Sequence, residues 1–308
     1  MKTKETKSIL ILLLTAAIWG LSFVAQRVGM QHIGAFTYNG IRFALGSLSL
    51  LPVLYFSGRK SNNEIYNGES KEFKESDEKT IIKSGILAGL ALFMASSFQQ
   101  VGLIYTTAGK AGFITSLYVV IVPILGIFLK QKTHITTWLG ALIAVVGLYL
   151  LSISENFTIE FGDFLEIIGA FFYAIHIQLI DRYIKDIDPI RFSSVQFATC
   201  SVLSMIIAFI FEEITLSGLS GALMPILYGG IMSCGVAYTL QAIGQKNANP
   251  SHAAIALSME AVFGAIGGAL VLHEVLPIRG YIGCALMMVG ILIAQSENMG
   301  KQSGEEHI

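Results

Sequence analysis

Charged residues are scarce in this chain. Only 13% of its 308 residues are Asp, Glu, Lys or Arg, whereas a soluble globular protein carries roughly 25%. So little charge cannot cover the surface of a water-soluble fold, and 54% of the residues are hydrophobic. The composition excludes a disordered chain and a nucleic-acid-binding protein, and the net charge of −1 points to no charged partner. The chain is therefore expected to lie in a membrane.

Cysteine is equally rare. Cys200, Cys234 and Cys284 all fall within apolar runs, and their odd number and spacing suit neither a disulfide framework nor a metal site. They are expected to be small core residues, and no metal or cofactor is expected. The sequence also lacks Gly-x-x-x-x-Gly-Lys-Ser/Thr, which excludes ATP hydrolysis through a P-loop.

Long apolar runs, by contrast, are abundant. A membrane-spanning helix takes about 20 mainly apolar residues. Ten segments satisfy this requirement: 8–29, 35–57, 81–104, 107–129, 135–153, 163–184, 189–211, 221–244, 250–272 and 278–296. The first is expected to be an uncleaved span, because no small-x-small cleavage site follows its basic start. Most connections are short, which predicts antiparallel neighbours, and residues 58–79 form one long, highly charged loop.

Lysine and arginine are distributed unevenly between the two sides of these spans. With a cytoplasmic N-terminus, sixteen of them fall on the cytoplasmic side and only Arg27, Lys110 and Arg279 on the outer side. Arg42 lies within a span. The positive-inside rule therefore predicts a multi-pass protein of the cytoplasmic (inner) membrane with both termini in the cytoplasm.

The two halves of the chain share a weak internal repeat, whose matches keep the same order in both halves. The matched positions are Trp19 with Tyr173, Arg42-Phe43 with Gln196-Phe197, Gly46 with Cys200, Ser116-Leu117-Tyr118 with Ser258-Met259-Glu260, Trp138-Leu139-Gly140 with Tyr281-Ile282-Gly283, and Gly147 with Gly290. Each copy holds five spans, and because five is odd, the second copy must enter the membrane the other way up. Inverted repeats of this kind build secondary transporters, with the binding site near the midplane at the repeat interface.

These patterns predict an all-α integral membrane protein with ten transmembrane helices arranged as two inverted five-helix repeats. The first repeat spans residues 8–153 and contains the charged cytoplasmic loop 58–79. The second spans 163–296, and residues 297–308 form a cytoplasmic tail. The small-x-x-x-small pairs Gly85/Gly89 and Gly264/Gly268 are expected to bring helices close together.

Several motifs along the chain resemble those of one transporter family. They are Ala17-Ile18-Trp19-Gly20-Leu21-Ser22-Phe23, Tyr38-Asn39-Gly40-Ile41-Arg42-Phe43, Tyr105-Thr106-Thr107-Ala108-Gly109-Lys110-Ala111-Gly112-Phe113 running on to Pro123, Trp138-Leu139-Gly140, and Ser258-Met259-Glu260-Ala261-Val262-Phe263 followed by His273-Glu274. Over about residues 8–296 the chain resembles the EamA-type members of the drug/metabolite transporter superfamily. The resemblance implies that spans 1–4 and 6–9 surround a central cavity and that spans 5 and 10 lie at the periphery.

Two charged residues at membrane depth are candidate binding groups, because each charge in hydrocarbon costs at least roughly 2.5–3.5 kcal/mol. Glu260, near the midplane, could bind a proton or a substrate amine, or could lock spans together. Arg42 could bind a carboxylate or phosphate of a substrate, pair with Glu260 or bond to backbone carbonyls. Four other charged or titratable side chains are expected near the interfaces: Lys110, Glu166, Lys83 and His252. Lys110 is expected to snorkel, with the steering of anions into an outward-open cavity as the alternative, Glu166 and Lys83 lie at span ends, and His252 is expected to be in contact with water.

Aromatic and amide side chains provide the remaining candidates. Trp19, Ser22, Phe23 and Gln26 share one face of span 1, which suits either an amphipathic metabolite or ordinary packing. His176 could relay protons to Glu260 or be a hydrogen-bonded core histidine. The expected substrate-cavity residues are Trp19, Ser22, Gln26, Tyr38, Arg42, Gln99, Tyr118, Tyr173, His176, Gln196, Tyr238 and Glu260.

We therefore expect a secondary transporter that exports a small amphipathic metabolite, such as an amino acid-like solute, by alternating access. Proton coupling, exchange and the substrate's own gradient remain open as energy sources. Its expected partners are the bilayer and the substrate, with a proton or other coupling ion and a second copy of the chain as candidates, and no nucleic acid. The alternatives are a passive facilitator, a non-transporting receptor and, more remotely, an intramembrane hydrolase at Gly218-Leu219-Ser220-Gly221. No catalytic residue is expected.

Overall fold

The computed structural model describes residues 2–66, 75–106, 108–131, 133–152, 160–271 and 278–303, and within these ranges it contains helices and no strand. The helices are α1 Lys2–Gly29, α2 Ala35–Tyr66, α3 Glu75–Tyr105, α4 Ala108–Ser116, α5 Tyr118–Phe128, α6 Ile135–Ser152, α7 Phe161–Tyr183, α8 Pro189–Phe211, α9 Leu216–Gly221, α10 Leu223–Leu227, a π-helix Tyr228–Tyr238, α11 Thr239–Gln245, α12 Pro250–Leu257, α13 Glu260–Val271 and α14 Ile278–Ser303.

These helices account for the predicted spans. By length and composition, seven helical stretches are sufficient to cross a membrane. Three shorter apolar helices, Ile135–Leu151, Pro250–Ile266 and Ile278–Ala294, fall on the fifth, ninth and tenth predicted spans. Large apolar side chains such as Phe209 (73% exposed) and Phe211 (77% exposed) cover the outside, as expected of a surface that faces lipid. The chain is an all-α membrane protein.

Short polar motifs set several helix starts. Asp188 caps α8 by accepting hydrogen bonds from Ile190 N and Arg191 N, with Pro189 in the first turn. Asn249 caps α12 in the same way, ahead of Pro250. Proline suits the first helical position because its fixed φ is helical and its missing N–H would have no partner there.

The two helices that flank the predicted loop 58–79 extend into it. Helix α2 continues to Tyr66 and α3 begins at Glu75, and residues 67–74 lie outside the described part of the chain. Hydropathy fixes where a span leaves the bilayer, but it does not end the helix. The Lys and Glu residues of this loop have good helix propensity once they are in water.

Two of the spans are interrupted at matching places. The fourth span is divided at Leu117 into α4 and α5, and the ninth is divided at Ser258 and Met259 into α12 and α13. The internal repeat pairs these same positions. The break of the fourth span precedes Pro123, which lies within α5.

The eighth predicted span is not one regular helix. It consists of α10, the π-helix and α11, and the short helix α9 precedes it. The π-helix packs on α2, where a Cβ added at Gly229 would lie 2.6 Å from Tyr38 Oη, and one added at Gly230 would lie 2.6 Å from Leu45 Cβ. Glycine at these two positions permits the close approach, and π segments of this kind often occur at functional sites.

Contacts between the halves show that the repeats are inverted. Helix α6 packs along α14, with a Cβ at Gly140 lying 2.5 Å from Gly290 O and a Cβ at Gly147 lying 2.6 Å from Gly283 O. Because Gly140 corresponds to Gly283 and Gly147 to Gly290, exchanging the halves converts one contact into the other. The contacts run in opposite directions along the two helices, so the matched spans are antiparallel.

The second and seventh spans repeat this relation with hydrogen bonds. Ser47 Oγ donates to Ser194 O at 3.1 Å, and Ser201 Oγ donates to Gly40 O at 2.8 Å. Gly40 and Ser194, and likewise Ser47 and Ser201, are separated by the repeat offset of 154 residues, so exchanging the halves converts one bond into the other. The fold is therefore two five-helix repeats related by an approximate two-fold axis.

Glycine also allows close packing at the predicted small-x-x-x-small pairs. Gly85 and Gly89 face Val195 and Thr199 of α8. Gly264 faces Gly20 of α1, and the side-chain position of Gly268 lies outside the described residues. The cysteines Cys200 and Cys234 are buried, as predicted for core residues, whereas Cys284 is only half-buried.

Candidate functional site

A narrow cavity lies between the two repeats. Its walls come from α1, α2, α3, α4 and α5 of the first repeat and from α7, the π-helix and α13 of the second. The lining residues are Trp19, Ser22, Phe23, Gln26, Arg42, Gln99, Thr115, Tyr118, Tyr173, Ser233, Tyr238 and Glu260. The free space of about 30 Å³ would hold about two water molecules. Helices or side chains must therefore move before an organic molecule can enter.

Nine of the twelve expected cavity residues line this space, and three do not. Tyr38 is fully buried, and its hydroxyl donates to Pro225 O at 3.0 Å. His176 and Gln196 bond to each other, with 2.8 Å between His176 Nε2 and Gln196 Oε1. His176 therefore has the geometry of a hydrogen-bonded core histidine.

Three lining residues were not among the twelve. Phe23 lies on the predicted face of span 1. Thr115 directly precedes the repeated Ser116-Leu117-Tyr118 motif, which could have pointed to it. Ser233 lies in the π-helix, where its carbonyl oxygen accepts a hydrogen bond from Trp19 Nε1 at 3.2 Å. No sequence pattern distinguishes Ser233 from other serines in the spans.

Arg42 is a buried cation at the edge of the cavity. Only 2% of it is exposed, and its Nε and Nη2 atoms have no hydrogen-bond acceptor. The guanidinium carbon lies 4.9 Å from the ring centroid of Phe43 and 5.6 Å from that of Tyr38, so the rings stabilise the charge without neutralising it. Among the described side chains, no carboxylate lies within 4.0 Å of it, so the direct pair with Glu260 does not form here.

Glu260 also lines the cavity and is the first residue of α13. Its carboxylate is 4% exposed and accepts hydrogen bonds from Tyr118 Oη at 3.0 Å and Ser116 Oγ at 3.4 Å. A carboxylate at a helix N-terminus is favoured by the exposed N–H groups of the first turn. No cation of the described part of the chain lies within 4.0 Å of this carboxylate.

A chain of hydrogen bonds forms one wall of the cavity. Tyr238 Oη donates to Tyr173 Oη at 3.5 Å, and Tyr173 Oη donates to Gln99 Oε1 at 3.0 Å. Gln99 Nε2 donates to Thr115 Oγ1 at 3.1 Å, and Thr115 Oγ1 donates to Glu166 Oε2 at 2.9 Å. The chain of bonds therefore ends in a second buried carboxylate, which lies behind the lining residues.

Two interfacial predictions were wrong. Glu166 is fully buried rather than interfacial, because the start of α7 packs closely on the end of α3 near Gly102. His252 is 4% exposed rather than in contact with water, because Thr137 Oγ1 lies 3.2 Å from its Nε2 atom and Glu5 Oε1 lies 3.4 Å from its Nδ1 atom. The side chain of Lys110 lies outside the described residues.

The cavity offers groups for recognising polar molecules rather than a metal centre. Within the described ranges, no group of three or more His, Cys, Asp or Glu side chains could hold a metal ion. An unpaired guanidinium, a carboxylate, three phenols and an indole ring surround one small space. This combination suits an organic molecule with both polar and apolar parts.

The chain is similar to a transporter family, and to proteins named as uncharacterized transporters, over almost its whole length. The model of the EamA-like transporter family matches residues 6–153 and again residues 160–295. A protein of Archaeoglobus fulgidus called an "uncharacterized transporter" is 31% identical over 288 residues, covering 92% of this chain and 83% of that protein. The "uncharacterized transporter YoaV" of Bacillus subtilis is 24% identical over 282 residues, covering 90% of this chain and 92% of that protein.

One solved structure shows the same fold. It bears the description "Crystal structure of protein" and superposes with a TM-score of 0.74 at 16% identity. The match covers 94% of this chain and 96% of that chain. At this level of identity the similarity concerns the fold alone.

Proposed function

This chain belongs to the EamA-like transporter family, and we propose that it is a secondary transporter that exports a small amphipathic organic metabolite across the cytoplasmic membrane. The substrate class that best matches the charged groups of the cavity is an amino acid-like solute with an acidic group. In this proposal both termini are cytoplasmic, and a proton gradient drives export through Glu260.

The observation that carries the proposal is that Arg42 and Glu260 line one cavity without pairing. An uncompensated buried charge costs several kcal/mol. A substrate carboxylate would remove this cost at Arg42. A substrate amine or a proton would remove it at Glu260.

The relation between the repeats supports alternating access as the mechanism. The cavity lies where the inverted halves meet, which is the usual position of transporter binding sites. Its free space is too small for a metabolite, so the described conformation corresponds to a closed stage of the cycle. The breaks at Leu117 and Ser258–Met259 lie beside the cavity and are suitable places for bending.

The direct test compares metabolite pools inside and outside cells that overproduce the wild type, Arg42→Gln or Arg27→Gln. Arg27 is the matched control, because it is an exposed arginine on α1. We expect one amphipathic pool to move outward with the wild type and with Arg27→Gln but not with Arg42→Gln. If the wild type moves no pool relative to cells without the protein, export is refuted.

Proteoliposomes then test the role of Arg42 with the metabolite so identified. A hydrogen bond to a charged group contributes about 1.5–3 kcal/mol, so Arg42→Gln is expected to raise KM by about 10- to 150-fold with a smaller effect on kcat. An unchanged KM would show that Arg42 does not contact the substrate.

Proton coupling is tested in the same vesicles with a pH-sensitive dye. Substrate movement is expected to be accompanied by proton movement, and Glu260→Gln should abolish this coupling. Uptake that is insensitive to uncouplers and to Glu260→Gln would indicate a passive facilitator. No transport at all, with binding retained, would indicate a receptor.

A further inference from the structure

The end of α4 contacts two different buried carboxylates through consecutive residues. Thr115 Oγ1 donates to Glu166 Oε2 at 2.9 Å, and Ser116 Oγ donates to Glu260 Oε1 at 3.4 Å. We propose that Glu166 is a second proton-binding site of this transporter, joined to Glu260 through the last turn of α4. This inference rests on the transport function proposed above and adds a site that the substrate cavity does not contain.

The surroundings of Glu166 accommodate a neutral acid better than a negative charge. Its side chain is fully buried, Oε2 has one hydrogen-bond donor and Oε1 has none. An ionised carboxylate can accept about four hydrogen bonds, so this one would be poorly solvated. Binding a proton at Oε1 forms one O–H bond, takes one proton from water and removes the buried charge, and release of the proton reverses each of these changes.

Among the described residues, the charged and titratable groups that face Glu166 do not include a cation. They are Asp163 one turn earlier on α7, Tyr173 further along α7, and Glu260 on α13. Helix α3 contributes Gly102 at this contact. Among the described side chains, no lysine, arginine or histidine lies within 4.0 Å of the Glu166 carboxylate, while the Lys110 side chain of α4 lies outside them.

Glu166 is separated from the substrate cavity by a single hydroxyl group. Thr115 lines the cavity, and its hydroxyl accepts from Gln99 Nε2 while it donates to Glu166. Glu166 itself does not line the cavity. When the cavity opens, water can therefore bring protons to Thr115 and through it to Glu166. In the closed stage Glu166 stays buried.

The break after α4 couples the two carboxylates. Helix α4 ends at Ser116, and α5 begins at Tyr118, which also donates to Glu260. Any movement of α4 about Leu117 changes the bonds from Thr115 and Ser116 together. A change in the protonation of Glu260, or the binding of substrate to it, therefore alters the hydrogen bond from Thr115 to Glu166.

Infrared spectroscopy of the purified full chain in lipid vesicles tests the site without a substrate. A protonated carboxyl group gives a C=O stretching band separate from that of a carboxylate, and its frequency reports the hydrogen bond to the acid. We expect Glu166→Gln to remove one component of this band at neutral pH. The matched control Glu213→Gln, which changes an exposed carboxylate, should leave this component in place.

Variants of Thr115 keep the test valid if Glu166→Gln fails to fold. Thr115→Val removes the hydrogen bond and should shift the frequency of the Glu166 component, whereas Thr115→Ser keeps the hydroxyl and should not. An unchanged band in both Glu166→Gln and Thr115→Val would overturn the proposal.

The link to Glu260 has its own readout. The pH at which the Glu166 component disappears is expected to differ between the wild type and Glu260→Gln, and an identical pH would refute the coupling. In vesicles, Glu166→Gln should change the number of protons moved per substrate molecule. An unchanged number would show that Glu166 carries no proton in the transport cycle. If wild-type vesicles move no substrate, the proposed function fails, while the infrared band still decides whether Glu166 binds a proton.

Discussion

Gly20→Ala is expected to be one of the most damaging single-methyl changes in the protein. Gly20 lies where α1 crosses α13, one residue after the cavity residue Trp19. A Cβ added there would lie 2.5 Å from Gly264 N, 2.7 Å from Glu260 O and 2.8 Å from Phe263 C. All three are backbone atoms of the other helix, so no side chain can rotate away to make room.

The size of the effect follows from these distances. The nearest contact must open from 2.5 Å to about 3.4 Å, the lower limit of an ordinary contact, so the helices must separate by about 0.9 Å. Overpacking of this kind typically costs about 1–3 kcal/mol. Because Glu260 begins α13, the same displacement strains its 3.0 Å hydrogen bond from Tyr118 and should reduce transport as well.

The partner glycine provides a sharp control. A Cβ at Gly264 would lie 3.4 Å from Gly20 O and farther from every other atom, which is an ordinary contact. Gly264→Ala should therefore leave stability nearly unchanged, although it alters the same helix crossing. Gly112→Ala is a second control, since the nearest atom, in the ring of Phe23, is 3.8 Å away.

The loss of thermal stability is measured by heating the purified protein in detergent. Size-exclusion chromatography then gives the fraction that remains monodisperse at each temperature. In domains of 150–250 residues, each kcal/mol shifts the midpoint by about 2–4 °C, so Gly20→Ala should lose several degrees. The two control variants should stay close to the wild type. Equal midpoints for Gly20→Ala and Gly264→Ala would refute the proposed asymmetry of this crossing.

Two further predictions concern the segment between the seventh and eighth spans. Glu212 ends the seventh span and accepts hydrogen bonds from Thr37 N and Thr37 Oγ1, both at 2.7 Å, so it caps the start of α2. Glu212→Gln should lower the midpoint of the heating assay by an amount equivalent to about 0.5–2 kcal/mol, and an effect no larger than that of Glu213→Gln would contradict this role. Ser220 is exposed in α9, within the Gly-x-Ser-Gly sequence, so Ser220→Ala should leave transport intact in vesicles, and loss of transport would revive the hydrolase alternative.

The spans and their inverted arrangement could be predicted because they depend on quantities that a sequence records directly. Hydropathy over about 20 residues reports the thickness of the bilayer, and an odd number of spans in each repeat reverses the second copy. The matched pairs Gly140/Gly283 and Gly147/Gly290 also carried structural information, since they form the reciprocal contacts between α6 and α14.

Rotation of a helix about its own axis could not be predicted in the same way. Counting residues from a span end places Tyr38, His176 and Gln196 at a suitable depth, but it does not tell which neighbour each side chain faces. His176 turns toward Gln196 and away from the cavity, and Tyr38 lies under Arg42. Hydropathy is likewise unable to detect the π-helix, because a change of hydrogen-bond register leaves the composition unaltered.

Burial at a span end depends on the neighbouring helix rather than on depth. Glu166 lies close to the start of α7, so its position in the sequence favours an interfacial carboxylate. The close contact between Gly162 and Gly102, where a Cβ at Gly162 would lie 2.8 Å from Gly102 O, brings α3 over it. Two glycines on distant segments therefore decide the environment of this acid, and no local pattern contains both.

The two charges of the cavity break the symmetry of the repeats in opposite halves. Arg42 corresponds to the neutral Gln196, and Glu260 corresponds to the neutral Tyr118. A cavity formed by identical halves would present each group twice and would suit a symmetric ligand. Here an unpaired guanidinium and a carboxylate each occur once, while the neutral counterparts take part in hydrogen bonds. A substrate that contacts both charged groups must therefore carry two chemically different groups of its own.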